Sequence, residues 1–222
     1  MMIRQGRGDS VSGELWRRDE KSFIAGAMPK GHYRIVDVGG AFGSFLRRSI
    51  PPTNRILYVV DVLSHNRHYD DVEFVKGDMR DLPFEDNSFD VVVARSSLHH
   101  VYSELDTAIL ELHRVMKDDG VCIVSEPLRT PWGTFLRSIP STYHDPGEHP
   151  MTFDELMTSL CRVFPRGRGD GFGVFAPWLS YLSHYVWIPQ KLIRVTYKLD
   201  KKILGKGFYP FAYQMVWIME KE

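Results

Sequence analysis

The sequence predicts an α/β protein, a mostly parallel sheet with helices on either side. Three observations carry that expectation. Short apolar runs recur without alternation at 33–39, 55–62, 72–78, 89–96 and 120–127. Runs of this kind suit strands buried on both faces. Helical segments alternate with them, which favours a parallel sheet. The first run, "YRIVDVG", passes directly into a cluster of small residues, Gly39, Gly40, Ala41 and Gly43, and then into the helix-like "SFLRRSI".

Taken in order, the opening residues to about 31 are polar and Gly-rich, with one amphipathic patch, "GELWRRDEKSFIAGAM". A short helix there can turn Trp16, Phe23 and Ile24 inward. The segment "SELDTAILELHRVMKD" places Leu105, Ala108, Ile109, Leu112, Val115 and Met116 on one face. Spacings of three and four predict a helix with one buried side. After Pro127 the rhythm breaks. "LRTPWGTFLRSIPSTYHDPGEHP" reads as a long loop or lid. "MTFDELMTSLCRVF" is a helix, with Thr152 and Glu155 at capping-box spacing. "RGRGDGFGVF" reads as a Gly-rich turn. Two helical pieces follow, split at Pro189, and "FAYQMVWIME" is the last strand.

The chain has 222 residues, with 28 Lys and Arg against 28 Asp and Glu. One domain with a real core is expected. Zero formal charge argues against a protein built mainly to grip nucleic acid. Two cysteines, Cys122 and Cys161, imply no disulfide framework. The first residues lack the apolar core of a secretory signal, and no apolar run is long enough to span a membrane. A cytoplasmic protein is therefore expected. "GRGD" occurs twice, at 6–9 and 167–170. Without export it reads as two polar turns rather than an adhesion signal.

Ligands in parallel sheets bind at the carboxyl ends of the strands. The polar residues that end these runs, Asp37, Asp61, Asp78, Arg95 and Glu126, are site candidates. A nicotinamide fingerprint would need G-x-G-x-x-G, and the small residues here fall at 39, 41 and 43 instead. The acid at the end of the second strand, Asp61, fits that reading. A phosphate-binding P-loop is excluded, because no Gly-Lys-Ser/Thr follows.

"DVGGAFG" resembles motif I of the class I S-adenosylmethionine-dependent methyltransferases, with Ala41 where the middle glycine usually stands. "VVDV" resembles that family's second-strand motif and "GDMRDLPFEDNSFDVV" its third-strand signature. "ARSSLHHV" and "ELHRVMKDDGVCIVSEP" resemble the segments around strands four and five. The resemblance implies a Rossmann-like doubly wound sheet of seven strands, mostly parallel, with an antiparallel last strand. It implies S-adenosyl-L-methionine as cofactor. It places the binding residues at Asp37, Gly39, Gly40, Ala41, Phe42, Gly43, Asp61, Val62, Asp78, Met79, Arg95 and Ser96. By the same resemblance, Asp61 takes the ribose hydroxyls, and Asp78 with the Met79 amide takes the adenine. It divides the chain into an N-terminal cap (1–31), a cofactor-binding core (32–127), a lid with acceptor-side helices (128–206) and a last strand (207–222).

A carboxylate suits a vicinal diol, which offers two donors, and the Phe42 ring suits a sulfonium. A hydroxyl or amine acceptor must lose a proton, so a base is needed. The candidates are His100 and His99 after strand four, and His144 and His149 in the lid. "YHDPGEHP" also has ligands that suit a divalent metal, although no metal is assigned. The expected acceptor is a small molecule, most readily methylated at oxygen, such as a natural product, a sugar or a lipid-linked compound. No nucleic acid is expected, since the Asn-Pro-Pro-Tyr type tetrapeptide of base-methylating enzymes is replaced by "ARSS". The rival reading is a non-catalytic member of the fold. Residues 179–206 interleave aromatic, aliphatic and basic residues and form a candidate membrane-surface contact.

Overall fold

The computed structural model describes residues 11–41, 43–51, 55–63, 69–131, 134, 149–183 and 187–221. Seven strands form one sheet: β1 (Tyr33–Val38), β2 (Arg55–Asp61), β3 (Val72–Lys76), β4 (Phe89–Arg95), β5 (Met116–Pro127), β6 (Arg166–Phe172) and β7 (Gln214–Glu220). Their spatial order is β3-β2-β1-β4-β5-β7-β6. β1 to β5 pair in parallel, and β7 runs antiparallel to both β5 and β6. This is the Rossmann-like sheet with one reversed strand that the sequence predicts.

The unalternating runs are explained by two cores. Val36, Val38, Val92, Ala94, Cys122 and Val124 face one core, which Leu105, Ala108, Ile109, Leu112 and Val115 of helix α3 (Leu105–Val115) complete. Ile35, Leu57, Val59, Val91, Val93 and Ile123 face the other. That second core is covered by α1 (Val11–Ala25), through Trp16 and Ile24, and by Leu46 of α2 (Ser44–Ser49). The central strands β1, β4 and β5 therefore bury side chains on both faces, at about 25 cal/mol per Å² of apolar surface. Met116, placed by its spacing on the helix face, is the first residue of β5. It is fully buried all the same.

The β3–β4 connection is held from below by α3. Arg114 donates to the carbonyls of Phe84 and Leu82, while Glu111 accepts from the Leu82 amide. Thr152 and Glu155 form the expected capping box on α4 (Phe153–Val163).

One expectation fails. Residues 166–172, read as a Gly-rich turn, are the edge strand β6, and the second "GRGD" lies inside it. The reason is packing. A Cβ on Gly169 would sit 1.7 Å from the Trp217 ring of β7. The small residues make room for that indole and do not bend the chain. The first "GRGD" lies outside the described residues.

The C-terminal helices are α5 (Ala176–Leu182) and α6 (Gln190–Leu204), with Pro189 at the start of α6. Among the described residues no helix is long and apolar enough to cross a membrane. Asp200 of α6 is fully buried, and its carboxylate accepts from the amides of Val174, Phe175 and Ala176. It thereby fastens α6 to the start of α5. Asp200→Ala strips all three amides of their partner, a loss on the order of 3 kcal/mol. The melting temperature is expected to fall by roughly 6–12 °C. A fall under about 2 °C in a thermal melt would show that the link does not stabilise the fold.

Candidate active site

The carboxyl ends of β1, β2 and β4 meet around one cleft of about 560 Å³, a size suited to a small-molecule ligand. The chain leaves β1 through a tight turn that begins at Gly39, φ 71. The Gly39 amide donates to the Val60 carbonyl at 2.8 Å. A Cβ on Gly39 would sit 2.5 Å from the Ser97 Cβ. Glycine is required there by both conformation and space. Ala41 has φ 47 and Ser96 has φ 50. Of the three non-glycine residues with this costly geometry among the described residues, Ala41 and Ser96 line the cleft and Asn87 does not, and strain of this kind often collects at functional sites. Ala41 thus takes the left-handed form a glycine would take.

Asp61, the last residue of β2, ties the turn together. One carboxylate oxygen accepts from the Ala41 amide at 3.1 Å, and the other from the Leu63 amide at 2.9 Å. A carboxylate has about four lone-pair directions, an acceptor set of the kind a diol needs. Asp78 binds Arg80 through the side chain and the backbone. Arg80 also pairs with Glu104, and its guanidinium holds the Asp78 carboxyl below the usual carboxylate range.

Gly39, Ala41, Asp61, Val62, Asp78, Met79, Ser96 and His100 all line the cleft. Other expected residues sit behind it. Gly43 starts α2. Gly40 clears space for the Asp37 carboxyl, which a Cβ there would meet at 2.4 Å. Arg95 turns away from the cleft, with its guanidinium on Glu20 of α1 at 2.9 and 3.1 Å and over the Phe45 ring. Phe42 and His144 lie outside the described residues, as does most of the acidic and His-rich lid segment. Among the described residues no group of His, Cys, Asp and Glu could hold a metal.

His99 and His100 differ sharply. His100 is exposed in the cleft. His99 is buried beneath it, with Nδ1 2.7 Å from Glu126 Oε2. The other oxygen of Glu126 accepts from the Ser97 and Leu98 amides at 2.7 and 2.8 Å. The two imidazole rings lie 4.2 Å apart. His149 donates its amide to the His99 carbonyl at 3.2 Å, and its ring lies against Tyr102.

Residues that sequence reasoning missed include Ser97, Arg80 and Glu20. Ser97 donates its hydroxyl to the Val38 carbonyl and lines the cleft. Glu20 is fully buried and also accepts from Ser125 at 2.7 Å. The spacing of 75 residues between Glu20 and Arg95 leaves no local signal.

Burial pushes the Asp37 carboxyl up from 3.8 to about 7. The nearby Asp61 adds to that rise, and the Arg95 guanidinium opposes it. The folded protein therefore keeps a proton on Asp37 that the unfolded chain releases. Stability from this group is present below about pH 4 and is lost as pH rises towards 7. Asp37→Asn removes that component. In melts across this range the wild type is expected to lose more stability than Asp37→Asn as pH rises. Parallel curves would refute the assignment.

Residues 49–124 match the model of a family described as "Methyltransferase domain". The chain is 34% identical over 165 residues to a demethylmenaquinone methyltransferase of Renibacterium salmoninarum, covering 68% of this chain and 66% of that protein. It is 28% identical over 133 residues to a ubiquinone/menaquinone biosynthesis C-methyltransferase of Rhizobium rhizogenes, covering 53% and 51%. The matched region thus spans about half to two thirds of these relatives' own length. Among solved structures, a possible histamine N-methyltransferase from Thermotoga maritima superposes with a TM-score of 0.62 at 16% identity, covering 94% of this chain and 92% of that one. That likeness is one of fold. With the sheet order, the turn after β1 and these matches together, the chain belongs to the class I methyltransferase family, whose cofactor is S-adenosyl-L-methionine.

Proposed function

We propose that this protein transfers a methyl group from S-adenosyl-L-methionine to a hydroxyl oxygen of a small molecule. The observation that carries the reading is the single cleft in which Asp61, the left-handed turn at Gly39–Ala41, Asp78, Met79 and His100 come together. The bound cofactor supplies an electrophilic methyl on a sulfonium. The chain's residues bind, orient and move the proton. Asp61 offers carboxylate lone pairs to the ribose hydroxyls. Met79 lies against the Gly39 turn, its Cε 3.3 Å from where a glycine Cβ would be, and its amide reads the adenine beside Asp78. The Asp37 carboxyl, buried under Gly40, supports the turn from behind.

His100 is the base in this reading, because it alone of the described candidate histidines lines the cleft. His99, fixed to Glu126, supports the loop that carries it. Much of the rate comes from holding acceptor and methyl in line, and proton removal adds a further factor of about 10²–10⁴.

Asp61→Ala is expected to weaken binding of S-adenosylhomocysteine by roughly ten- to a hundredfold, the loss of hydrogen bonds to a charged group. Calorimetric titration measures it. Unchanged affinity would remove Asp61 from the site. His100→Ala is expected to leave that affinity within about threefold while slowing methyl transfer to phenolic and enolic test acceptors by about 10²-fold or more. The acid limb of the pH–rate profile should disappear with it. A variant that keeps its rate and profile would exclude His100 as base.

A second reading rests on the relative named as a C-methyltransferase. A phenolate or enolate is nucleophilic at both oxygen and carbon, so the same base serves either outcome. Fragmentation of the methylated product separates them. A methyl on carbon would replace the oxygen assignment and leave the base in place.

A further inference from the structure

The geometry points to the outer face of α6 as a docking surface for an anionic lipid bilayer. This goes beyond methyl transfer and stands on separate observations. Three exposed aliphatic side chains, Leu192, Val195 and Leu199, are 48%, 55% and 51% accessible. At 3.6 residues per turn they fall within an arc of about 60°. Trp187, three residues before the helix, is 86% accessible. The core face of the helix is a separate one, made of Ile193, Tyr197, Asp200 and Leu204. The outward stripe is therefore unused in holding the fold.

Charge lies beside it. Lys191, Arg194, Lys198 and Lys202 are all exposed and occupy the adjoining arc of the helix. None has an acidic partner among the described residues. Lys201, by contrast, pairs with Asp19 of α1. In a chain of zero formal charge, residues 171–219 have six Lys or Arg and one acid, Asp200. That acid is buried on the core side. The outward surface of α6 thus carries cations and no anion.

Apolar side chains flanked by cations on a helix, with a tryptophan at its end, match the interface between headgroups and acyl chains. The alternatives fit less well. A second copy of the chain would pack the same face against itself, which sets Lys191 and Lys198 of each copy together. A stripe three side chains long is also narrow for the roughly 1,200–2,000 Å² of a stable interface. A nucleic acid would engage the cations and leave the aliphatic stripe in water.

The test is co-sedimentation of the whole chain with vesicles of phosphatidylcholine, with and without phosphatidylglycerol, at low and high salt. Binding is expected only with the anionic lipid and is expected to weaken with salt. Each cation near an anionic surface contributes about 1 kcal/mol, a factor of about five. The pair Lys191→Glu and Lys198→Glu is therefore expected to lower partitioning by roughly 25-fold or more. The pair Leu192→Glu and Leu199→Glu is expected to abolish it. Both pairs lie on the surface, so their melting temperature and S-adenosylhomocysteine affinity serve as controls and should match the wild type.

Three results would overturn the proposal. One is no anionic-vesicle binding at low salt. Another is binding that the leucine substitutions leave intact, which would mean attraction to any polyanion. The third is a concentration-dependent dimer in sedimentation that the leucine substitutions dissolve, which would assign the stripe to a second copy.

Discussion

A buried carboxylate, that of Glu126, holds the site in shape. Glutamate at the end of a central strand is costly to bury unless its oxygens are filled. Here three donors converge on it: the Ser97 amide, the Leu98 amide and His99 Nδ1. Those contacts fix where the chain goes after β4. Ser97 then reaches across to the Val38 carbonyl, and its side chain fills the space beneath Gly39. The exits of β1, β4 and β5 are locked to one another through this one group. The cleft walls at Gly39, Ser96 and His100 inherit their positions from it.

A second buried acid does related work on the opposite face. Glu20 of α1 accepts from Arg95 and from Ser125, the neighbour of Glu126. Gln214 of β7 donates to the same Ser125 hydroxyl at 2.8 Å. The N-terminal helix is therefore tied by polar contacts to β4 and β5, as well as by its apolar side. Arg95 links this network to the cleft electrostatically, since its charge opposes the rise of the Asp37 carboxyl.

Much of this was legible in the sequence. The central parallel strands announced themselves as Val- and Ile-rich runs, because a strand covered on both faces has no polar side. The α3 face was legible because its buried residues recur every three or four positions. Asp61 and the Gly39–Ala41 turn were legible because they are local, a strand end and a run of small residues. β6 was not. Its glycines answer to Trp217 on another strand, about fifty residues away, so a packing demand looked like a turn. Glu20 and the Glu126 clasp were hidden similarly: each role is set by partners distant in sequence. Arg95 shows the converse. It stands at a strand end where a ligand contact is expected, yet a helix far upstream claims its guanidinium.

The edge strand β6 has a further consequence. It is the last strand of the sheet, with nothing paired on its outer side among the described residues, and such an edge invites aggregation by strand addition. Its sequence, "RGRGDGF", discourages that. Arg166, Arg168 and Asp170 set charge along the rim, and the glycines between them offer an incoming strand no side chains to grip. The residues that make room for one tryptophan inside the sheet also keep other chains from extending it.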